Sequence, residues 1–186
     1  MNTVEPIRDR TMILDIADYL QAKNERDYVL FMSGIYLGRR ITDMLSFKVR
    51  DVRNKNYIYF REGKTSKEAR IAINEELKKI YKEYTKGKKD YELLFKSRQG
   101  RNKPISRQRA WQILNEAADY FEYKENIGCH TLRKTFGYWL YQESKDAVAI
   151  KELLNHDDIS VTKRYIGITQ DSKDSLVKNL SFGKRR

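Results

Sequence analysis

Ala149-Ile150-Lys151-Glu152-Leu153-Leu154-Asn155-His156-Asp157-Asp158-Ile159-Ser160-Val161-Thr162-Lys163-Arg164-Tyr165 holds one of the two histidines of this 186-residue chain. Ile150, Leu153 and Leu154 fall at i, i+3 and i+4, the spacing of a helix-packing stripe. Asp158 and Ser160 are good N-cap residues for a second short helix that carries Tyr165. On one unbroken helix His156 and Tyr165, nine residues apart, would point about 180° from each other. A turn at Asp157-Asp158 lets them converge. Lys163-Arg164 then puts the phenol in positive potential, where an approaching phosphate would be held.

The charge of the whole chain fits that reading. There are 38 Lys and Arg against 26 Asp and Glu, a net +12, in a chain that is still 40% hydrophobic. This describes a folded protein with a polyanionic partner. Neither a basic amphipathic helix with a clean apolar face nor a lipidation signal points to a membrane surface, so nucleic acid is the expected partner. A single cysteine, Cys129, cannot form an internal disulfide, and one cysteine with two histidines is too few for a structural zinc site. With no apolar leader and no long apolar run, a cytoplasmic protein is expected. The length suits one domain.

Outward from the quoted stretch, Ile13, Ile16, Ala17 and Leu20 predict a first helix capped near Asp9 and ended at Asn24. Residues 28–37 are apolar nearly all round, as in a central helix, with Gly34 and Gly38 permitting close approach or termination. Arg39, Arg40 and Asp43 follow at once. On one helix face Arg40 and Asp43 meet, so the carboxylate can orient the guanidinium. Residues 47–52, 57–60 and 69–73 alternate as short strands, and the turn at 62–67 projects Lys64 and Lys67. The expected fold class is therefore α+β, mainly α-helical with a small three-stranded antiparallel sheet. Asn74 caps an amphipathic helix, and the basic loop 96–104 could track a phosphate backbone. Ser106 opens a long helix whose apolar face is Ala110, Trp111, Leu114, Ala117, Ala118 and Phe121. Cys129 reads as a small buried hydrophobe. His130 and Arg133 share a helix face, a candidate anion site, while Leu132, Phe136, Trp139 and Leu140 form the buried stripe of that helix.

Taken together these boxes resemble the tyrosine recombinases of the phage-integrase family, over almost the whole chain. Arg40-Ile41-Thr42-Asp43-Met44 looks like the family's first arginine box, and Gly63-Lys64-Thr65-Ser66-Lys67-Glu68 resembles its hairpin-lysine turn. His130-Thr131-Leu132-Arg133 is similar to the His-x-x-Arg box, and Leu154-Asn155-His156 followed by Tyr165 is similar to the Leu-Gly-His box and its nucleophile. Arg39 stands where the family usually has an apolar residue, so Arg40 is assigned as the catalytic arginine by its register with Ile41-Thr42-Asp43. The resemblance implies that family's catalytic-domain fold. It also implies a site-specific recombinase or integrase that cleaves and rejoins DNA through a 3′-phosphotyrosyl link. Arg40, Lys64, His130, Arg133, His156 and Tyr165 would be catalytic, with Tyr165 the nucleophile, Lys64 the general acid and Asp43 in support. No metal and no other cofactor is expected.

Arg39, Lys67, Arg98, Arg101, Lys103, Arg107, Arg109, Lys134, Lys163 and Arg164 are the side chains expected to meet double-stranded DNA. The family implies a homo-oligomer on DNA, a synaptic tetramer. Residues 1–186 are read as a single catalytic domain without the family's N-terminal DNA-binding domain, and a separate DNA-binding or accessory protein is among the partners considered. Residues 170–186 are read as a C-terminal helix and basic tail that pack in cis or on a neighbouring subunit. Three other readings stay open. A metal-dependent nuclease would gather Asp43, Asp157 and Asp158 around magnesium. A type IB topoisomerase would share the catalytic set, and a noncatalytic DNA-binding regulator would share the fold.

Overall fold

A computed structural model describes residues 4–61, 68–166, 177–178 and 180–181. Most of its longer helices begin where short polar side chains can accept the orphan N–H groups of a first turn. Asp9 accepts from the Thr11 N–H at 2.8 Å and opens α1, Arg10–Lys23. Asn24 serves twice, ending α1 through its backbone N–H to Leu20 and capping α2, Glu25–Leu37, through its side chain. Asn74 caps α5, Glu75–Tyr84, and Ser106 caps α6, Arg107–Tyr120. After α7, Cys129–Ser144, Asp146 caps α8, Ala147–Leu153, and the chain ends its described core with α9, Ile159–Ile166. Among the described residues no helix is long and apolar enough to cross a membrane.

The apolar helix α2 is the centre of the packing, as its composition predicts. It lies against α1, α5 and α7, and Val29, Leu30, Phe31 and Leu37 are each at most 1% exposed. Gly34 is what lets α7 approach: a Cβ there would stand 2.4 Å from Leu132 Cδ1 and 2.8 Å from Leu132 Cβ. Residues 4–9 form a strap across α7. The Ile7 N–H donates to Thr135 Oγ1, its carbonyl accepts from Trp139 Nε1, and the Val4 carbonyl accepts from Lys134 Nζ. A second, smaller apolar cluster of Ile150, Leu154 and Ile166 seats α8 and α9 on α7 beside Phe136 and Leu140.

Two strands are observed among the described residues, where three were expected. β1, Tyr57–Arg61, pairs antiparallel with β2, Glu68–Ala72, in the register Tyr57↔Ala72 to Arg61↔Glu68. Residues 47–52 make only a single bridge, Lys48 to Leu93, and then turn into the short helix α4, Val49–Val52. The Asp51 carboxylate accepts the Lys48 N–H at 2.8 Å, which bends the chain away from a ladder. Of the predicted apolar stripes, Phe121, Phe136, Trp139 and Leu140 are only half-buried, and two positions are exposed. Trp111 is 49% exposed and Leu153 41%, because Ile113 fills the α6 interface and Ile150 with Leu154 already fills the stripe on α8. The turn at 62–67 lies outside the described residues, as does the C-terminal segment apart from Val177, Lys178, Leu180 and Ser181.

Gly34→Ala should destabilise the protein by about 1–3 kcal/mol, since the new methyl meets the root of the Leu132 side chain rather than a flexible tip. Urea unfolding measures it, and an unchanged midpoint would show that α2 and α7 have room to separate.

Candidate active site

Three stretches far apart in sequence meet where α2 and α8 end. Gly38 closes α2 in the left-handed region, φ +60°, with its ring neighbour Phe136 where a Cβ would stand. The chain then passes directly into Arg39, Arg40 and α3, Ile41–Met44. From α7, the buried Arg133 donates through Nη1 to the Gly38 carbonyl at 2.9 Å and through Nη2 to the Leu154 carbonyl. Arg39 makes a parallel bridge, donating to the carbonyls of Leu37 and Leu153. Two guanidinium groups thus join the same two helix ends, where carbonyls lack helical partners and the dipole is negative.

Arg39 is the expectation that changes most. Placed among the DNA-contact side chains by sequence, it is only 3% exposed and lies 5.6 Å from the Phe60 ring of β1. Its planar group reaches backbone carbonyls inside the fold, so the surface role does not describe it. Arg40 is partly exposed at the start of α3 and faces the histidines closely enough to depress both. Asp43 is buried on α3.

Beyond Leu154 the chain turns through Asn155, φ +49°, and delivers His156. The Asp158 carboxylate accepts the Ser160 N–H at 2.8 Å and starts α9, so the break expected at 157–158 is present. It brings the His156 and Tyr165 rings edge to face, with centroids 4.7 Å apart. On its other side His156 Nδ1 lies 2.9 Å from the hydroxyl of Thr162, a residue that the sequence reading did not single out. Lys134 holds its ammonium 5.5 Å from the Tyr165 ring centre while donating to the Val4 carbonyl.

The electrostatics are those of a site built for an anion. Burial, then the positive field of Arg133, Arg40 and Arg39, pushes His156 down from 6.5 to about 4, with Asp157 opposing. His130 is exposed at the start of α7, yet partial burial and the field of Arg133, Arg107, Arg40 and Lys134 also hold its pKa below the usual value. Neutral imidazoles among fixed guanidinium groups can donate or accept a proton without adding to the charge. Cys129 behaves differently. Burial raises its thiol pKa, in keeping with a packed rather than a nucleophilic cysteine.

The basic residues predicted for DNA are spread around this centre. Lys163 and Arg164 are exposed on α9, and Arg98, Arg101, Lys103 and Arg107 are exposed on the loop and the start of α6. Arg109 is ion-paired to Glu116 at 2.7 Å. Arg98, Lys103 and Arg109 line a groove of about 740 Å³ whose far wall includes Lys23 and Arg26, two cations that sequence alone left in the α1–α2 junction. The three carboxylates of the nuclease reading do not form a set: Asp43 is buried, whereas Asp157 and Asp158 are exposed, and Asp158 serves as a cap. Lys64 and Lys67 fall outside the described residues.

The profile of the phage integrase family matches residues 9–171. Over 178 residues the chain is 48% identical to the probable integrase/recombinase YoeC of Bacillus subtilis, covering 96% of this chain and 97% of that one. It is 32% identical over 143 residues to the tyrosine recombinase XerD of Corynebacterium glutamicum, covering 73% of this chain but 46% of XerD. Solved structures share the fold at lower identity. The XerA recombinase superposes with a TM-score of 0.75 at 19% identity, over 95% of this chain and 65% of that one. The catalytic domain of bacteriophage HP1 integrase gives 0.64 at 18%, over 95% of each chain. With three of its boxes, those of Arg40, of His130 and Arg133, and of His156 and Tyr165, gathered at one centre, the chain belongs to the phage integrase family and is a tyrosine recombinase, an enzyme of the class that cleaves and rejoins DNA strands.

Proposed function

We propose that this chain binds double-stranded DNA and exchanges strands at specific sites, with Tyr165 as the nucleophile. The observation that carries the assignment is the edge-to-face contact of Tyr165 with His156, which sits two residues past the carbonyl pair held by Arg39 and Arg133. A phosphodiester resists attack because its charge repels nucleophiles and its alkoxide leaves poorly. Arg40 would meet the charge that builds on the nonbridging oxygens, with histidine donors beside it, while the buried Arg133, bonded to the Gly38 and Leu154 carbonyls, fixes the site and adds its positive field. The Tyr165 oxygen forms the new P–O bond as the bond to the 5′ oxygen breaks, and a histidine takes the phenolic proton. Lys64 gives a proton to the departing 5′ oxygen. The 3′-phosphotyrosyl link keeps the ester's energy, so a second 5′-hydroxyl can reverse the step. DNA complexes among the fold relatives support the partner: the Tn1549 transposon integrase was solved with circular intermediate DNA, and XerH with its difH substrate. A tetramer on DNA completes this reading.

Tyr165→Phe should bind DNA as before and form no covalent adduct on nicked duplex, because only the hydroxyl is removed. Denaturing gels read the outcome: an adduct in the Phe variant would move the nucleophile elsewhere, and none in the native chain would favour a noncatalytic regulator.

Lys64→Ala should cleave ordinary DNA about 10² to 10⁴ times more slowly, the range of a lost general acid. With sulfur in place of the bridging 5′ oxygen the leaving thiolate needs no proton, since a thiol's pKa is about 8.5. The Ala variant should then recover, whereas Arg40→Ala should stay slow on both substrates. Recovery by Lys67→Ala instead would relocate the acid.

Stability should also follow His156. Its folded pKa of about 4 lies below the ordinary 6.5, so between these values the unfolded chain binds a proton that the folded chain does not. The contribution is present above pH 6.5 and is lost as pH falls toward 4. In thermal melts from about pH 7 to about pH 4.5, His156→Asn should lose less stability than the native chain. Equal losses would mean that His156 does not titrate in this window.

A further inference from the structure

Helical hydroxyls inside this fold usually turn back on their own helix. Ser33, Thr85 and Thr135 each donate to the carbonyl four residues earlier, at 2.6, 2.7 and 2.8 Å. Thr162 does not. It is fully buried in α9, and among the described residues its hydroxyl has one hydrogen-bond partner, His156 Nδ1 at 2.9 Å. A hydroxyl has one proton to donate, and leaving a buried donor without an acceptor is costly. The pair has two possible polarities. If Nδ1 carried the ring proton and donated to Oγ1, the threonine proton would have no acceptor. If the threonine donates, both the buried hydroxyl and the half-buried ring nitrogen are satisfied.

We infer that Thr162 is a positioning residue for the strand-cleavage reaction: its buried hydroxyl donates to Nδ1 of His156 and so places the single proton of the neutral ring on Nε2. This rests on the catalytic reading above. The ring edge bearing Nε2 is then an N–H donor, suited to a phosphate oxygen and unable to take the phenolic proton of Tyr165. Thr162 also restrains the ring's rotation, since turning it about its bond to Cβ would break the contact. The loop of Asn155 to Asp158 and the first turn of α9 are therefore joined by a side-chain bond as well as by the chain itself, which keeps His156 and Tyr165 in register.

The tautomer can be read directly. The chain has two histidines, so nitrogen-15 spectra of the DNA-free protein contain two imidazole systems, told apart with a His130→Gln sample. In the native chain Nε2 of His156 should be protonated and Nδ1 bare. Thr162→Val, which keeps the shape and deletes the donor, should shift the ring toward the Nδ1–H form, while Thr162→Ser should hold the native pattern. On nicked DNA the Val variant should form adduct about tenfold more slowly at unchanged DNA affinity, the worth of roughly one hydrogen bond, and Ser should restore the rate. A native ring protonated on Nδ1 would overturn the inference. So would a Val variant that melts earlier with unmoved nitrogen shifts, which is a purely structural role. Failure of the native chain to form adduct would strike the catalytic reading instead, and the nitrogen shifts would still decide the role of Thr162.

Discussion

Two guanidinium groups buried between the C-terminal ends of two helices hold this site together. A cation removed from water is tolerated only where hydrogen bonds and opposite charge replace its hydration. The ends of α2 and α8 supply both. Their last carbonyls have no helical N–H to accept, and the helix dipole leaves them negative. Arg133 bridges Gly38 to Leu154 and Arg39 bridges Leu37 to Leu153, so consecutive carbonyls on one helix are matched to consecutive carbonyls on the other. Electrostatic compensation and geometry are here the same contacts. Any shift of α8 relative to α2 breaks bonds to buried charges, which makes the arrangement stiff.

That stiffness matters because the apolar support around the nucleophile is small. The main core runs from Ile7 to Leu132 and leaves α8 and α9 on a separate cluster whose fully buried members are Ile150, Leu154 and Ile166. Gly137 faces that cluster from α7, where a Cβ would come into ordinary van der Waals contact with Leu154 at 3.4 Å. A helix pair seated on so few apolar side chains is held in register by polar contacts: the arginine bridges at one end, the Thr162 hydroxyl in the middle and the Asp158 cap at the start of α9. The same arginines set the proton chemistry. Their field, added to burial, lowers the pKa of both imidazoles.

Much of this was legible from local pattern. Asp9, Asn24, Asn74 and Ser106 predicted the helix starts because an N-cap is decided by one side chain and the turn that follows it. The apolar run at 28–37 identified the central helix, and Asp157-Asp158 identified the break that brings His156 to Tyr165. Order and spacing of the boxes, matched to a known family, named the catalytic candidates and the family to which the chain belongs.

What sequence could not decide depended on partners far along the chain. Arg39 is one covalent bond from Arg40, and only the carbonyl of Leu153, 114 residues away, makes it a buried bridge rather than a surface cation. The alternation of residues 47–52 is real, yet the chain forms only one bridge, Lys48 to Leu93, and then turns into α4, where the Asp51 carboxylate accepts the Lys48 N–H. Trp111 and Leu153 lie on apolar stripes whose interfaces other side chains already fill. Thr162 reads as an ordinary helical threonine until α9 folds back and brings its hydroxyl to a histidine six residues earlier. Caps, periodicity and motif spacing are short-range properties that a sequence carries by itself. The destination of a buried polar group is set by which unsatisfied donor or acceptor the folded chain brings to it, and that was decided only by the tertiary structure.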